Sequence, residues 1–312
     1  MLTDRRIATN LAEAAGEAAL KILSSNRGGK VLASVTQALY LVDESGELLW
    51  LATPGVPMHR RSIRVSDPLP RPDVGTAYQM MQGMLITDSD ARLDLGACPV
   101  WRTPEVRVAQ AVPLARLSGI VADTYRNFFE WPKPVGMGSL IPAILQLAMQ
   151  AGQSGERGSE MQNLRFLWRP LQGIVQACLS RDLGSLLEHA ARLVGLGSGL
   201  TPSGDDFLGG LFFAFEMLRR TYPEIRELQA WNYSNFIMES QSRTNLISFC
   251  LLKDHTAGYA MEPMHRFAEG LLDGQPIDQS LPLAAELVAV GHSTGWDLLT
   301  GVLAGMTILF RK

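Results

Sequence analysis

Residues 195–210 read Gly-Leu-Gly-Ser-Gly-Leu-Thr-Pro-Ser-Gly-Asp-Asp-Phe-Leu-Gly-Gly. Glycines at 195, 197, 199 and 204 permit main-chain conformations closed to other residues and let a ligand come close to the backbone. The apolar run from Phe207 predicts a helix over 204–220, with its positive dipole end facing back on the loop. The segment therefore reads as helix, glycine loop, helix, laid out as an anion site. The adjacent carboxylates of Asp205 and Asp206 add a means of holding a cation beside the anion. The pattern recurs: Ser203-Gly204-Asp205-Asp206-Phe207-Leu208-Gly209-Gly210-Leu211 aligns with Thr294-Gly295-Trp296-Asp297-Leu298-Leu299-Thr300-Gly301-Val302. Both copies run hydroxyl, Gly, any residue, Asp, apolar, Leu, any residue, Gly, apolar. A site built from these two helix starts is the central expectation.

Outward from this loop, helical period dominates the C-terminal half: 161–180, 182–194, 204–220, 224–240, 244–253, 262–272, 280–290 and 294–310. The N-terminal half has another texture. Residues 4–24 carry helical spacing, with Ile7, Leu11, Ala14, Ala18 and Ile22 on one face. Ala38–Val42 and Glu47–Ala52, joined through Gly46, read as a hairpin. Short strands are predicted at 61–65, 83–87, 91–95 and 105–109, punctuated by prolines. Trp131-Pro-Lys-Pro134, with Gly136 and Gly138 after it, reads as a linker, and the polar stretch 152–160 as a loop. The fold class expected is α+β: an N-terminal helix plus mainly-β domain over 1–135, and an α-helical domain over 136–312 that carries both Gly-Asp segments.

The totals exclude several functions. With 46% hydrophobic and 19% charged residues, the 312-residue chain has ample material for a core. A net charge of −3 without a basic stripe argues against nucleic acid as a partner. Cys98, Cys178 and Cys250 lie far apart, so neither a disulfide framework nor a structural zinc is expected, and a cytoplasmic location fits. No apolar export core is present at the start. The apolar runs 207–215 and 298–310 fall short of the ~18–20 residues that span a bilayer, so no membrane is expected.

Two familiar nucleotide motifs are also excluded. Gly199 and Gly204 have P-loop spacing, but Asp205 stands where that motif needs Lys. Counted from Gly197, the third dinucleotide-fingerprint glycine is Pro202, and no strand precedes it. The candidates that remain for anion binding are Gly197, Gly199, Thr201, Ser203 and Gly204, with Ser293, Thr294 and Gly295 from the second copy. Asp205, Asp206, Asp297 and His292 are the candidate catalytic groups, His292 as an acid or base near neutral pH. Asp206 and Asp297 hold equivalent positions; buried in a helical core they need a cation or several donors, and paired carboxylates with hydroxyls suit Mg²⁺. Capping without metal is the alternative. Arg243, in Ser242-Arg243-Thr244-Asn245, is placed either to grip a carboxylate or phosphate or to pair with one of the aspartates. Arg60-Arg61-x-x-Arg64 reads as a solvated strand edge, and His59, His255 and His265 show no partner spacing.

The runs Gly-x-Gly-Leu-Thr-Pro-Ser-Gly-Asp-Asp-x-Leu-x-Gly at 197–210 and Gly-His-Ser-Thr-Gly-x-Asp-Leu-Leu-x-Gly at 291–301 resemble a bacterial family, that of the AllH-type subunit of oxamate carbamoyltransferase, some of whose members carried a carboxylase label. The resemblance is specific over about 195–305. It implies a subunit of a complex in allantoin breakdown that interconverts oxalurate plus phosphate with oxamate plus carbamoyl phosphate, with a small anionic substrate (phosphate, carbamoyl phosphate or a carboxylate) and other subunits as partners. Gly197, Gly199, Thr201, Ser203, Gly204, Asp205, Asp206, His292, Gly295 and Asp297 are the motif positions, and the resemblance brings no catalytic assignment onto them. The Ser-x-Arg-Thr loop of aspartate and ornithine carbamoyltransferases is not matched, because Ser242 stands one place off in Gln241-Ser242-Arg243-Thr244. Their His-Cys-Leu-Pro motif is absent too, so the fold is not theirs. A non-catalytic assembly subunit and a stand-alone metal-dependent hydrolase using paired aspartates are the other readings.

Overall fold

The computed structural model describes residues 9–25, 28–66, 68–89, 91–105, 110–127, 134–149 and 165–308. The chain forms two compact units, one of Met1–Pro104 with Ala260–Glu262, the other of Glu105–Tyr259 with Pro263–Lys312. The expected class, α+β, holds. Residues 131–133 of the linker read at 131–134, the loop at 152–160 and most of the strand read at 105–109 lie outside the described residues.

The first unit contains β1 (Thr9–Gly16), α1 (Glu17–Ser24), β2 (Gly29–Ser34), β3 (Ala38–Asp43), β4 (Leu48–Ala52), β5 (Ser62–Val65), β6 (Ala77–Met81), β7 (Met84–Thr87), β8 (Arg92–Asp94) and β9 (Val100–Trp101). Strand order is β5-β4-β3-β2-β6-β7-β8-β1, and β1 also pairs with β5, so eight strands close into a barrel. The two-residue β9 joins β1 beside β8. Closure satisfies strand edges that an open sheet would leave bare. The filling is apolar, from Val31, Leu39, Leu41, Leu49, Leu51, Ile63, Val65, Leu85 and Leu93.

The hairpin at Gly46 forms as expected. Gly46 sits at φ +84°, and the Asp43 carboxylate accepts from the Ser45 and Glu47 amides at 2.9 and 2.8 Å. A second tight turn, with Gln82 at φ +50° and Gly83 at +81°, joins β6 to β7. Two expectations are corrected. The segment read as a helix over 4–24 is strand over Thr9–Gly16 and helix only over Glu17–Ser24. Its alanines fit either period, and pairing with β5 on one edge and β8 and β9 on the other decides the matter. A Cβ on Gly16 would also run into the backbone of Arg60, where the strand gives way to the helix. The arginine run is not a solvated edge throughout: Arg61 is buried and bonds Glu47 at 2.8 Å and the Leu48 carbonyl at 3.1 Å.

The second unit is helical: α2 (Leu114–Arg126), a 3-10 turn at Gly136–Leu140, α3 (Ile141–Met149), α4 (Arg165–Ser180), α5 (Leu183–Ala191), α6 (Ser203–Thr221), α7 (Arg226–Ala230), α8 (Ser234–Ser240), α9 (Leu246–Thr256), α10 (Glu262–Leu272), α11 (Ile277–Val288) and α12 (Thr294–Ile308). One helix read over 224–240 is two, because Asn232 accepts from the Ser234 amide at 2.8 Å and restarts the chain as α8. At the centre lie α6, buried from Gly204 to Leu218, and α12. A helix apolar on all sides belongs in a core rather than on a surface. Its buried Glu216 is held by Arg219 at 2.6 Å and Arg220 at 2.8 Å. No described helix is long and apolar enough to cross a membrane.

The ring of His255 in α9 occupies the space that a side chain at Gly209 would need. Burial pushes this imidazole down to about 4. A histidine held neutral contributes stability that is complete above its ordinary pKa of 6.5 and is lost as pH falls through 4. The loss amounts to roughly 3 kcal/mol at about 1.4 kcal/mol per pKa unit. Urea midpoints should therefore fall between pH 6.5 and 4, and His255→Gln should flatten that slope. An unchanged slope in the variant would assign the acid sensitivity elsewhere.

Candidate functional site

The two Gly-Asp segments meet. Helices α6 and α12 run parallel with their N-termini side by side, and the contacts between them are reciprocal. A Cβ on Gly210 would strike the carbonyl oxygen of Leu298, and one on Gly301 would strike that of Phe207, the residue aligned with Leu298. The two helix entries match as well. The Gly204 amide donates to the Leu196 carbonyl at 2.8 Å, and the Gly295 amide to the Val290 carbonyl at 3.0 Å. A Cβ on either glycine would meet the end of the preceding chain, at Leu193 or Leu287. The aligned segments are thus related by a local twofold axis running along the helix pair.

Asp206 and Asp297 face each other across that axis. They are 4% and 0% exposed, and the charge of Asp297 is felt at Asp206. Each helix's opening hydroxyl lies near the other helix's aspartate and favours its ionised form, Thr294 at Asp206 and Ser203 at Asp297. Thr201 acts in the same sense on Asp206, and Ser293 on Asp297. The hydroxyls of Thr201 and Thr294 are themselves 2.9 Å apart. Among the described residues, Oδ2 of Asp206 and Oδ2 of Asp297 have no hydrogen-bond partner. Burial is the main force raising both carboxyls, Asp206 well above the ordinary carboxylate range; the neighbouring aspartate adds to it there, and the hydroxyls oppose it.

A third segment completes the floor. The 3-10 turn at Gly136–Leu140 points the Met137 amide at Oδ1 of Asp297. Gly136, at φ +56°, passes so close to that carboxylate that a Cβ there would collide with Oδ1. The linker-like glycine of the sequence is therefore part of the site, with a positive φ and a close approach as its reasons. The only local signal was Gly136 itself, and the partner that explains it, Asp297, lies about 160 residues further along the chain.

The remaining candidates separate into distinct places. Asp205 is committed: Oδ1 accepts from the Gly195 amide at 2.8 Å, while Oδ2 accepts from Ser248 at 2.7 Å and from Thr244. It ties the glycine loop to the start of α9, whose Asn245 also bonds the Leu200 carbonyl at 2.9 Å. Thr244 and Ser248 were not singled out by sequence reasoning. Gly197 and Gly199, at φ +124° and +103°, lie exposed at the loop crest with Ser198 and Leu200. The hydroxyl-bearing Thr201, Ser203, Ser293 and Thr294 are half-buried between that crest and the carboxyl pair. His292 is exposed beside Ser293, and Arg243 is exposed, with its carbonyl oxygen against Gly195. In the first turn of α6, the amides of Gly204, Asp205 and Asp206 bond the Leu196 and Pro202 carbonyls. The open donors of the loop are thus its crest amides and hydroxyls rather than these three. Among the described residues no group of three or more His, Cys, Asp or Glu side chains is placed to hold a metal.

This unit is a helical scaffold with an internally duplicated Gly-Asp helix start and a buried carboxyl pair where the copies meet. Residues 193–306, which contain both copies, match the family described as oxamate carbamoyltransferase subunit AllH, in agreement with the resemblance seen in the sequence. No solved structure matches the chain.

Proposed function

We propose that this chain is a subunit of a carbamoyltransferase complex that interconverts oxalurate plus phosphate with oxamate plus carbamoyl phosphate, and that the α6–α12 entry is where it meets the small anionic substrate. The observation that carries the reading is the buried pair Asp206 and Asp297, each with an unpartnered oxygen, beneath four hydroxyls at two adjoining helix N-termini. Such an entry offers hydroxyl and crest-amide donors to phosphate or carboxylate oxygens, and two helix dipoles that favour negative charge. In the reaction, an oxygen of monohydrogen phosphate attacks the carbamoyl carbon of oxalurate, and the bond from that carbon to the oxamate nitrogen breaks. The phosphate proton passes to the departing nitrogen. Negative charge that develops on the carbamoyl oxygen is stabilised by preorganised donors, for which the crest amides and the exposed His292 and Arg243 are available.

One observation favours a second reading, an assembly subunit with no reacting site. The first-turn amides of α6 are spent on the chain's own carbonyls and leave fewer donors for an anion than the sequence suggests. The two readings part in one assay. The chain, alone and combined with the other subunits of its complex, is tested for phosphate-dependent release of oxamate from oxalurate. Activity that needs this chain and is lost when Asp297 is altered supports the proposal. Activity of full rate without the chain, or indifferent to Asp297, refutes it.

A further inference from the structure

We infer that Asp206 and Asp297 together hold one hard divalent cation, Mg²⁺ or Mn²⁺, between their partnerless Oδ2 oxygens at the floor of the α6–α12 entry. The inference stands on the carboxyl pair and not on the reaction proposed for it. Its first support is the pair of orphaned atoms. Oδ2 of Asp206 and Oδ2 of Asp297 lack a partner although both residues are all but fully buried, and a buried carboxylate without one is costly. Its second support is the division of labour on Asp297: the Met137 amide is spent on Oδ1 and leaves Oδ2 as the oxygen without a partner. No described ion pair brings Lys or Arg to either aspartate.

The chemistry selects the ion. Every donor at hand is a carboxylate or hydroxyl oxygen, the set of a hard cation rather than of zinc, which prefers nitrogen and sulfur. Mg²⁺ is commonly held by only one or two carboxylates and leaves its other positions to water and substrate oxygens. Two carboxylates are what this site supplies. The half-buried hydroxyls above them leave the outward side to water or to an anion, so a phosphate oxygen can complete the shell.

The test uses the purified full chain with Mn²⁺ and Mg²⁺ as probes. Titration followed by Mn²⁺ paramagnetic resonance should show one ion per chain, displaced by Mg²⁺. Asp206→Asn or Asp297→Asn should each weaken binding by roughly tenfold or more, since each removes half of the charged ligands. A localisation that needs no variant accompanies it: Fe²⁺ with ascorbate should cut the main chain near 201–206 and 293–297, and excess Mg²⁺ should suppress the cuts. Absence of saturable binding up to about 10 mM, a range that covers weak oxygen-ligand sites, would overturn the inference, as would cutting confined to other segments or parental affinity in both variants. Because binding is read on the chain alone, its failure leaves the carbamoyltransferase assay untouched, and the reverse also holds.

Discussion

Asp206→Asn and Asp297→Asn are each expected to lower oxamate release by the reconstituted complex by roughly 10²–10³-fold, the scale seen when one preorganised polar group is lost from an active site. The amide keeps the volume of the acid and an oxygen that can still accept from Thr294 or from the Met137 amide, so the packing of α6 on α12 is preserved. Thermal midpoints should stay within about 4 °C of the parent, equivalent to no more than ~1–2 kcal/mol for a unit of this size. The double variant should be scarcely slower than either single one, because groups that act as a unit fail together. Multiplying losses would mean that the carboxyls act at separate steps. Parental turnover in Asp206→Asn would remove that residue from the chemistry.

Gly301→Ala and Gly210→Ala should each destabilise the helical unit by about 3 kcal/mol, the upper end of ordinary overpacking. In each case the added methyl meets a backbone carbonyl of the facing helix, which cannot swing aside as a side chain can. The two effects should fall well short of adding. Once α6 and α12 have parted to admit one methyl, the second finds the gap partly open. Gly119 is the control: it lies in α2, exposed, and a methyl added there would have nothing within 4 Å. Gly119→Ala should stabilise the protein by up to about 1 kcal/mol through helix propensity and a less flexible unfolded chain. Urea denaturation of the three single variants and the Gly210/Gly301 double variant settles the matter; full additivity would argue against a rigid helix pair.

Much of the helical unit was legible because α6 and α12 signal themselves twice, by apolar runs and by a repeated hydroxyl-Gly-x-Asp start. The alignment of Asp206 with Asp297 anticipated their meeting, since equivalent positions in a duplicated helix pair fall about a common axis. The first unit was less legible. Residues 9–16 carry alanines and glutamates that suit a helix, and their strand state depends on partners some 50 to 90 residues away. Strands β2 and β6 lack a strong alternation and were missed, although their hairpin neighbours were read. Arg61 looked solvated because its partners, Glu47 and the Leu48 carbonyl, are supplied by the neighbouring strand β4 and the turn before it. In the site, Gly136 and Met137 were hidden for the same reason: nothing local tells a linker glycine from one pressed against a distant carboxylate.

The Met137 amide has a consequence beyond holding Asp297. The helix pair repeats itself about its axis almost group for group, yet this donor serves only one side, since the groups that steady the ionised Asp206 are hydroxyls alone. Two chemically identical acids are thereby made inequivalent, one anchored by main chain and the other by rotatable side chains. Under the proposed function, an anion entering from the loop crest would meet one fixed acid and one adjustable one, and would settle in one orientation instead of two.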